Sequence, residues 1–148
     1  MIPRYLKRIS FTEETRAPFG AGSFLKKNIM IVGEQDSDPT ASLLQRPFCT
    51  DKGCTGWLNK QLDSSNIPEE KLFWVNALGN DYVAADLDYL VDVLKPSAVL
   101  ALGGIAQQVC KDQGVTFEPF YHPQYWKRFK SKYPYALVDR LKELTHEV

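Results

Sequence analysis

Asn28-Ile29-Met30-Ile31-Val32-Gly33 is a nearly unbroken apolar run that ends in a glycine. A strand facing solvent on one side alternates polar and apolar residues, so an unbroken run predicts a strand covered on both faces. Leu72-Phe73-Trp74-Val75-Asn76 and Ala98-Val99-Leu100-Ala101-Leu102 repeat the form. Between these runs, Trp57, Leu58, Gln61 and Leu62 within 56–62 and Leu87, Leu90, Val91 and Leu94 within 83–94 recur at helical spacing. Gly103-Gly104 opens a third helix through Ile105, Ala106 and Val109, closed by Gly114, and Val115-Thr116-Phe117 is a short candidate fourth strand. A last helix follows Pro134 with Leu137, Leu141 and Leu144 on one stripe. Alternation of this kind predicts an α/β three-layer sandwich with a short, mainly parallel four-stranded sheet. Residues 28–148 form the single expected domain, and residues 1–27 form an N-terminal arm without a clear pattern.

The chain has 148 residues, 44% apolar and 12% aromatic, enough to bury a core without disulfides or structural metal. Its 24% charged residues sum to no net charge, which excludes a globally basic binder and confines any nucleic-acid contact to a local patch. No apolar run approaches the ~20 residues needed to cross a bilayer. The start Met1-Ile2-Pro3-Arg4-Tyr5-Leu6-Lys7-Arg8 lacks the apolar segment of a signal peptide. A cytoplasmic or nucleoid-associated monomer without membrane contact is expected. Cys49, Cys54 and Cys110 are an odd count without a Cys-x-x-Cys pair, so free packing thiols are expected and a metal centre is not.

In open α/β sheets, ligands gather beyond the carboxyl ends of the strands. Those ends place Gly33, Asn76, Leu102 and His122 on one edge, and the long loop from Glu34 to Lys52 reads as a binding loop. Beyond them runs Phe120-Tyr121-His122-Pro123-Gln124-Tyr125-Trp126-Lys127-Arg128-Phe129-Lys130-Ser131-Lys132, in which aromatic and basic residues interleave after one of only two histidines. Aromatic rings stack on bases and Lys or Arg neutralise phosphates. Gly20-Ala21-Gly22 precedes a strand instead of following one and fails the dinucleotide fingerprint, and no Walker loop is present.

Gly33-Glu34-Gln35-Asp36-Ser37, Arg46-Pro47-Phe48, Trp74-Val75-Asn76-Ala77, Leu102-Gly103-Gly104-Ile105-Ala106 and His122-Pro123-Gln124 stand at these ends in an order and spacing that resemble the uracil-DNA glycosylase superfamily, especially its compact branches. The resemblance covers about residues 28–144. It implies an enzyme that flips uracil or another modified pyrimidine out of single- or double-stranded DNA and hydrolyses its N-glycosidic bond. In its terms Glu34, Gln35 or Asp36 orders the attacking water beside Gly33, Phe48 stacks on the base, and Asn76 reads its edge. His122 steadies the leaving base, Gln124 contacts a phosphate, Tyr125 and Trp126 fill the vacated space, and Lys127, Arg128, Lys130 and Lys132 hold the backbone. The first motif departs from the family, with Gln35 where Asp, Asn or Ala is usual and Asp36 replacing the proline. Four cysteine ligands of the iron-sulfur branches are missing, so the resemblance implies no cofactor. The altered motif leaves open a nucleobase- or DNA-binding module of the same fold without turnover, and an enzyme acting on free nucleotides.

Overall fold

The computed structural model describes residues 2–15, 20–35, 46–79 and 82–146. In chain order the elements are α1 (Arg4–Thr15), β1 (Gly20–Gly22), β2 (Ile29–Gly33), α2 (Gly53–Ser64), β3 (Leu72–Asn76), α3 (Leu87–Leu94), β4 (Ala98–Leu102), α4 (Gly104–Asp112), β5 (Glu118–Phe120), α5 (Pro123–Phe129) and α6 (Ala136–His146). The strands lie in the order β1-β3-β2-β4-β5. All neighbours are parallel except β1, which runs antiparallel to β3. The expected four-stranded sheet is therefore a five-stranded mixed sheet, because part of the 1–27 segment supplies an edge strand.

Each central strand sends alternate residues to opposite faces, and both faces are covered. Ile29, Ile31, Leu72, Trp74, Leu100 and Leu102 join Leu58 and Leu62 of α2, Ile9 of α1, and Leu137 and Leu141 of α6 in one core. Met30, Val32, Phe73, Val75, Val99 and Ala101 join Leu87, Leu90 and Leu94 of α3 and Ala106 and Val109 of α4 in the other. Each fully buried Val, Leu, Ile, Phe or Met among them contributes about 1.5–3 kcal/mol. Cys49 and Cys110 are buried in cores on opposite faces, and burial pushes the Cys110 thiol up to about 11. Among the described residues no helix is long and apolar enough to cross a membrane.

After the edge strand β1 the chain takes the centre of the sheet as β2, passes to β3 on one side through α2, then crosses to β4 on the other through α3. Helix α2 packs on one face and α4 on the other, so the loops leaving the adjacent strands β2 and β4 part in opposite directions. In open α/β sheets such a divergence is the place where a ligand crevice is expected, at the carboxyl ends of these strands.

Two elements lie apart from their expected places. The fourth parallel strand is 118–120, three residues beyond 115–117; Val115 instead anchors the turn after α4, where Gly114 has φ +69°. The basic, aromatic run after His122 is largely helix α5, with Pro123 at the first helical position where its missing N–H costs nothing.

Candidate functional site

Register brings the strand ends level. Gly33 pairs with Asn76, and Leu102 with Phe120, while the Ala77 N–H donates to the Gly33 carbonyl (2.8 Å) and the Leu78 N–H to the Glu34 carbonyl (3.0 Å). Phe48 and Asn76 converge over Gly33. A Cβ there would overlap the Phe48 ring and lie 2.7 Å from Asn76 Oδ1, so this close approach requires glycine. The half-buried Asn76 amide makes no hydrogen bond among the described residues. It retains both a donor and an acceptor at the crevice.

His122 follows β5 and caps α5. Its Nδ1 accepts the Gln124 N–H at 3.1 Å, so the neutral ring carries its proton on Nε2, a donor with no hydrogen-bond partner among the described residues. Burial holds the imidazole below its ordinary value, and the nearby Glu34 carboxylate opposes part of that shift. Glu34, leaving β2, and His122, leaving β5, stand at the same end of the sheet, with β4 between their strands. Gly103 lies between them in the fold with φ +92°; a Cβ added to it would sit 3.2 Å from His122 Cβ. This conformation and this approach account for Gly103. Two donors, the Gly103 N–H at 2.8 Å and Gln107 Nε2 at 3.2 Å, fix the Phe120 carbonyl just ahead of the histidine. The Tyr135 hydroxyl donates to the Tyr121 carbonyl, and burial pushes that phenol far above its ordinary value, keeping its proton in place.

Phe48 is held from behind by residues the sequence reading placed in the arm. It is 5% exposed, adopts φ +59°, and packs its ring at 4.8 Å on Trp74. Arg8 of α1, wholly buried, donates Nη1 to the Phe48 carbonyl, Nη2 to Asn59 Oδ1 (3.1 Å) and Nη2 to Glu69 Oε1 (2.9 Å). Its guanidinium lies 4.2 Å from the Trp74 ring centroid. Glu69 also takes Arg4 Nη1 at 3.0 Å and Trp74 Nε1 at 2.9 Å. Arg4 and Arg8, four apart on α1, were the available signal: that spacing puts both on one helix face, yet basic residues read as solvated.

Gln35 lies next to Glu34, and its Nε2 donates to the Gly79 carbonyl at 2.7 Å, which leaves Oε1 to accept from a water. Asp36 falls outside the described residues. In α5, Gln124, Tyr125, Lys127 and Arg128 are exposed, and Lys130, just after it, is half-buried. Trp126 differs from its expected role as a filler of vacated space: it packs on the core and on Tyr135, and its Nε1 donates to the Tyr133 carbonyl at 3.0 Å. A ring held at both ends is not available to enter a base stack.

Two grooves lie elsewhere: one of about 450 Å³ at the opposite ends of β4 and β5, and one of about 610 Å³ between α1 and Ile67–Glu70. Neither is lined by Glu34, Phe48, Asn76 or His122. The unpartnered polar groups of Asn76 and His122 stand instead at the carboxyl ends of the strands, with the buried Phe48 ring against Gly33. Comparison with protein-family models and with curated proteins finds no match for the chain.

Proposed function

We propose that the protein is a DNA glycosylase-like hydrolase acting on uracil or a modified pyrimidine in DNA. The observation that carries this reading is the convergence of Phe48 and Asn76 on Gly33, with Glu34 and His122 leaving β2 and β5 at the same end of the sheet. A flat pyrimidine needs an aromatic wall, an amide with both donor and acceptor for its edge, and a donor for its carbonyl oxygen. Rupture of the bond between base nitrogen and sugar C1′ leaves its electron pair on the base. The Nε2–H of neutral His122 would stabilise that charge without surrendering its proton. A water ordered by Glu34 and Gln35 adds its hydroxyl to C1′, and its proton ends on the departing base. The resemblance in motif order supports the same assignment.

Incubation with oligonucleotides bearing uracil, 5-hydroxymethyluracil or mismatched pyrimidines, followed by alkali, tests it directly. Alkali-labile strands are expected, and His122→Ala should reduce their formation roughly 10²-fold or more at unchanged fold. A second reading, the binding module without turnover, is favoured by the Gln35 amide, which stands where an acidic residue can serve the family and cannot take a proton. Retention of pyrimidine-containing DNA with no base release from any substrate would establish that module and remove the hydrolase.

A further inference from the structure

The surface that continues from His122 away from the crevice has a composition unlike the rest of this neutral chain. Between Glu118 and Asp139 there is no acidic residue, while Lys127, Arg128, Lys130 and Lys132 fall within it. None of these four makes an ion pair among the described residues. Along the same face run three rings: Tyr121 stacks on Tyr125 with centroids 4.8 Å apart at 20°, and Tyr125 meets Phe129 at 5.0 Å. They are 55%, 41% and 65% exposed. Tyr125 and Phe129, four residues apart, share one face of α5, Tyr121 joins them from just before the helix, and Lys130 Nζ lies 5.9 Å from the Tyr121 ring centroid.

We infer that this ladder is a platform for single-stranded DNA, on which unpaired bases beside the target nucleotide stack while the four cations follow the backbone. The inference rests on the nucleic-acid reading of the neighbouring crevice and adds the strand preference. A duplex hides its base faces in its own stack and offers edges and phosphates, for which lysines and arginines alone suffice. Exposed rings in a row gain from a partner only when base faces are free. A second copy of the chain is a poorer occupant, because a two-fold contact through this face sets like charges against each other.

The test is binding of a short labelled oligothymidine strand, which contains no base to be excised, compared with the same strand annealed to oligoadenine. Single strand should bind at least roughly tenfold tighter than duplex, and Tyr125→Ala and Phe129→Ala should each weaken it by about tenfold with the salt dependence unchanged. Lys127→Ala with Arg128→Ala should instead lower the slope of log affinity against log salt by about 1.4. Thermal unfolding of each variant verifies that the fold survives. Equal affinity for both forms, or ring variants that bind like wild type, would overturn the inference, as would capture by anionic vesicles with no oligonucleotide binding. Base release alongside unaltered ring variants leaves the hydrolase standing without the platform; ring-dependent binding without base release does the reverse.

Discussion

Two sets of arginines and aromatic rings sit on either side of the crevice, and they are put to opposite uses. Behind Phe48, Arg8, Trp74 and Glu69 are buried, and among the described residues no buried side-chain nitrogen or oxygen lacks a partner. On α5, Tyr125, Arg128 and Phe129 are exposed, and among the described residues Arg128 makes no ion pair with a carboxylate. Residue type does not separate the two regions; the supply of acceptors does. A guanidinium leaves water only where carboxylate and carbonyl oxygens replace its hydration. Glu69 makes the first region a wall and its absence from the second leaves a face for a partner.

The largest effect expected follows from removing that carboxylate. Glu69→Ala strands two buried guanidiniums and the Trp74 indole N–H, and should cost about 3–5 kcal/mol in urea denaturation. Tyr125→Ala and Phe129→Ala should stay within about 0.5 kcal/mol of wild type. Equal losses in the two sets would abolish the distinction.

Gly33→Ala sharpens the wall side of the comparison. The new methyl overlaps the Phe48 ring, which is buried and packed on Trp74, so the ring cannot swing aside without losing that packing. A cost of about 1–3 kcal/mol is expected. Phe48→Leu in the same chain should recover part of it, giving a favourable coupling energy in a double-mutant cycle. Strict additivity would mean that Phe48 does not press on Gly33.

The central strands were legible because two-sided burial leaves a run of apolar residues that no solvent-facing element needs. The edge strands were not. β1 is Gly-Ala-Gly, and β5 centres on Pro119 with half-exposed neighbours, so neither has a side-chain pattern; pairing with β3 and β4 defines them. Helix α3 begins at Leu87 instead of Val83 because the Asp86 carboxylate accepts the Tyr89 N–H at 3.1 Å and caps it there. The strand-end order put Gly33, Phe48, Asn76 and His122 on one edge. What it could not supply was Arg8 behind Phe48, since a buried arginine is intelligible only with Glu69, 61 residues away in sequence. Helix α5 carries a readable signal, a capping residue followed by proline, masked by the run of charges that follows.

The smallest expected effect tests whether His122 belongs with the wall or with the open face. A solvated imidazole would titrate as in the unfolded chain, near 6.5. Burial lowers the value in the folded protein, so at pH between the two values the unfolded chain binds more protons. Stability should be flat above about 6.5 and fall as pH drops through that window, because protonation charges a desolvated ring and turns Nδ1 from acceptor of the Gln124 N–H into a second donor facing it. His122→Gln should remove this acid limb from the urea midpoints. Glu34→Gln should deepen it, since the opposing carboxylate is lost and the folded value falls further. Imidazole resonances separate His122 from His146, the other histidine, and a His122 midpoint at or above 6.5 would place the ring in water and make it a poor candidate for the neutral donor at the leaving base.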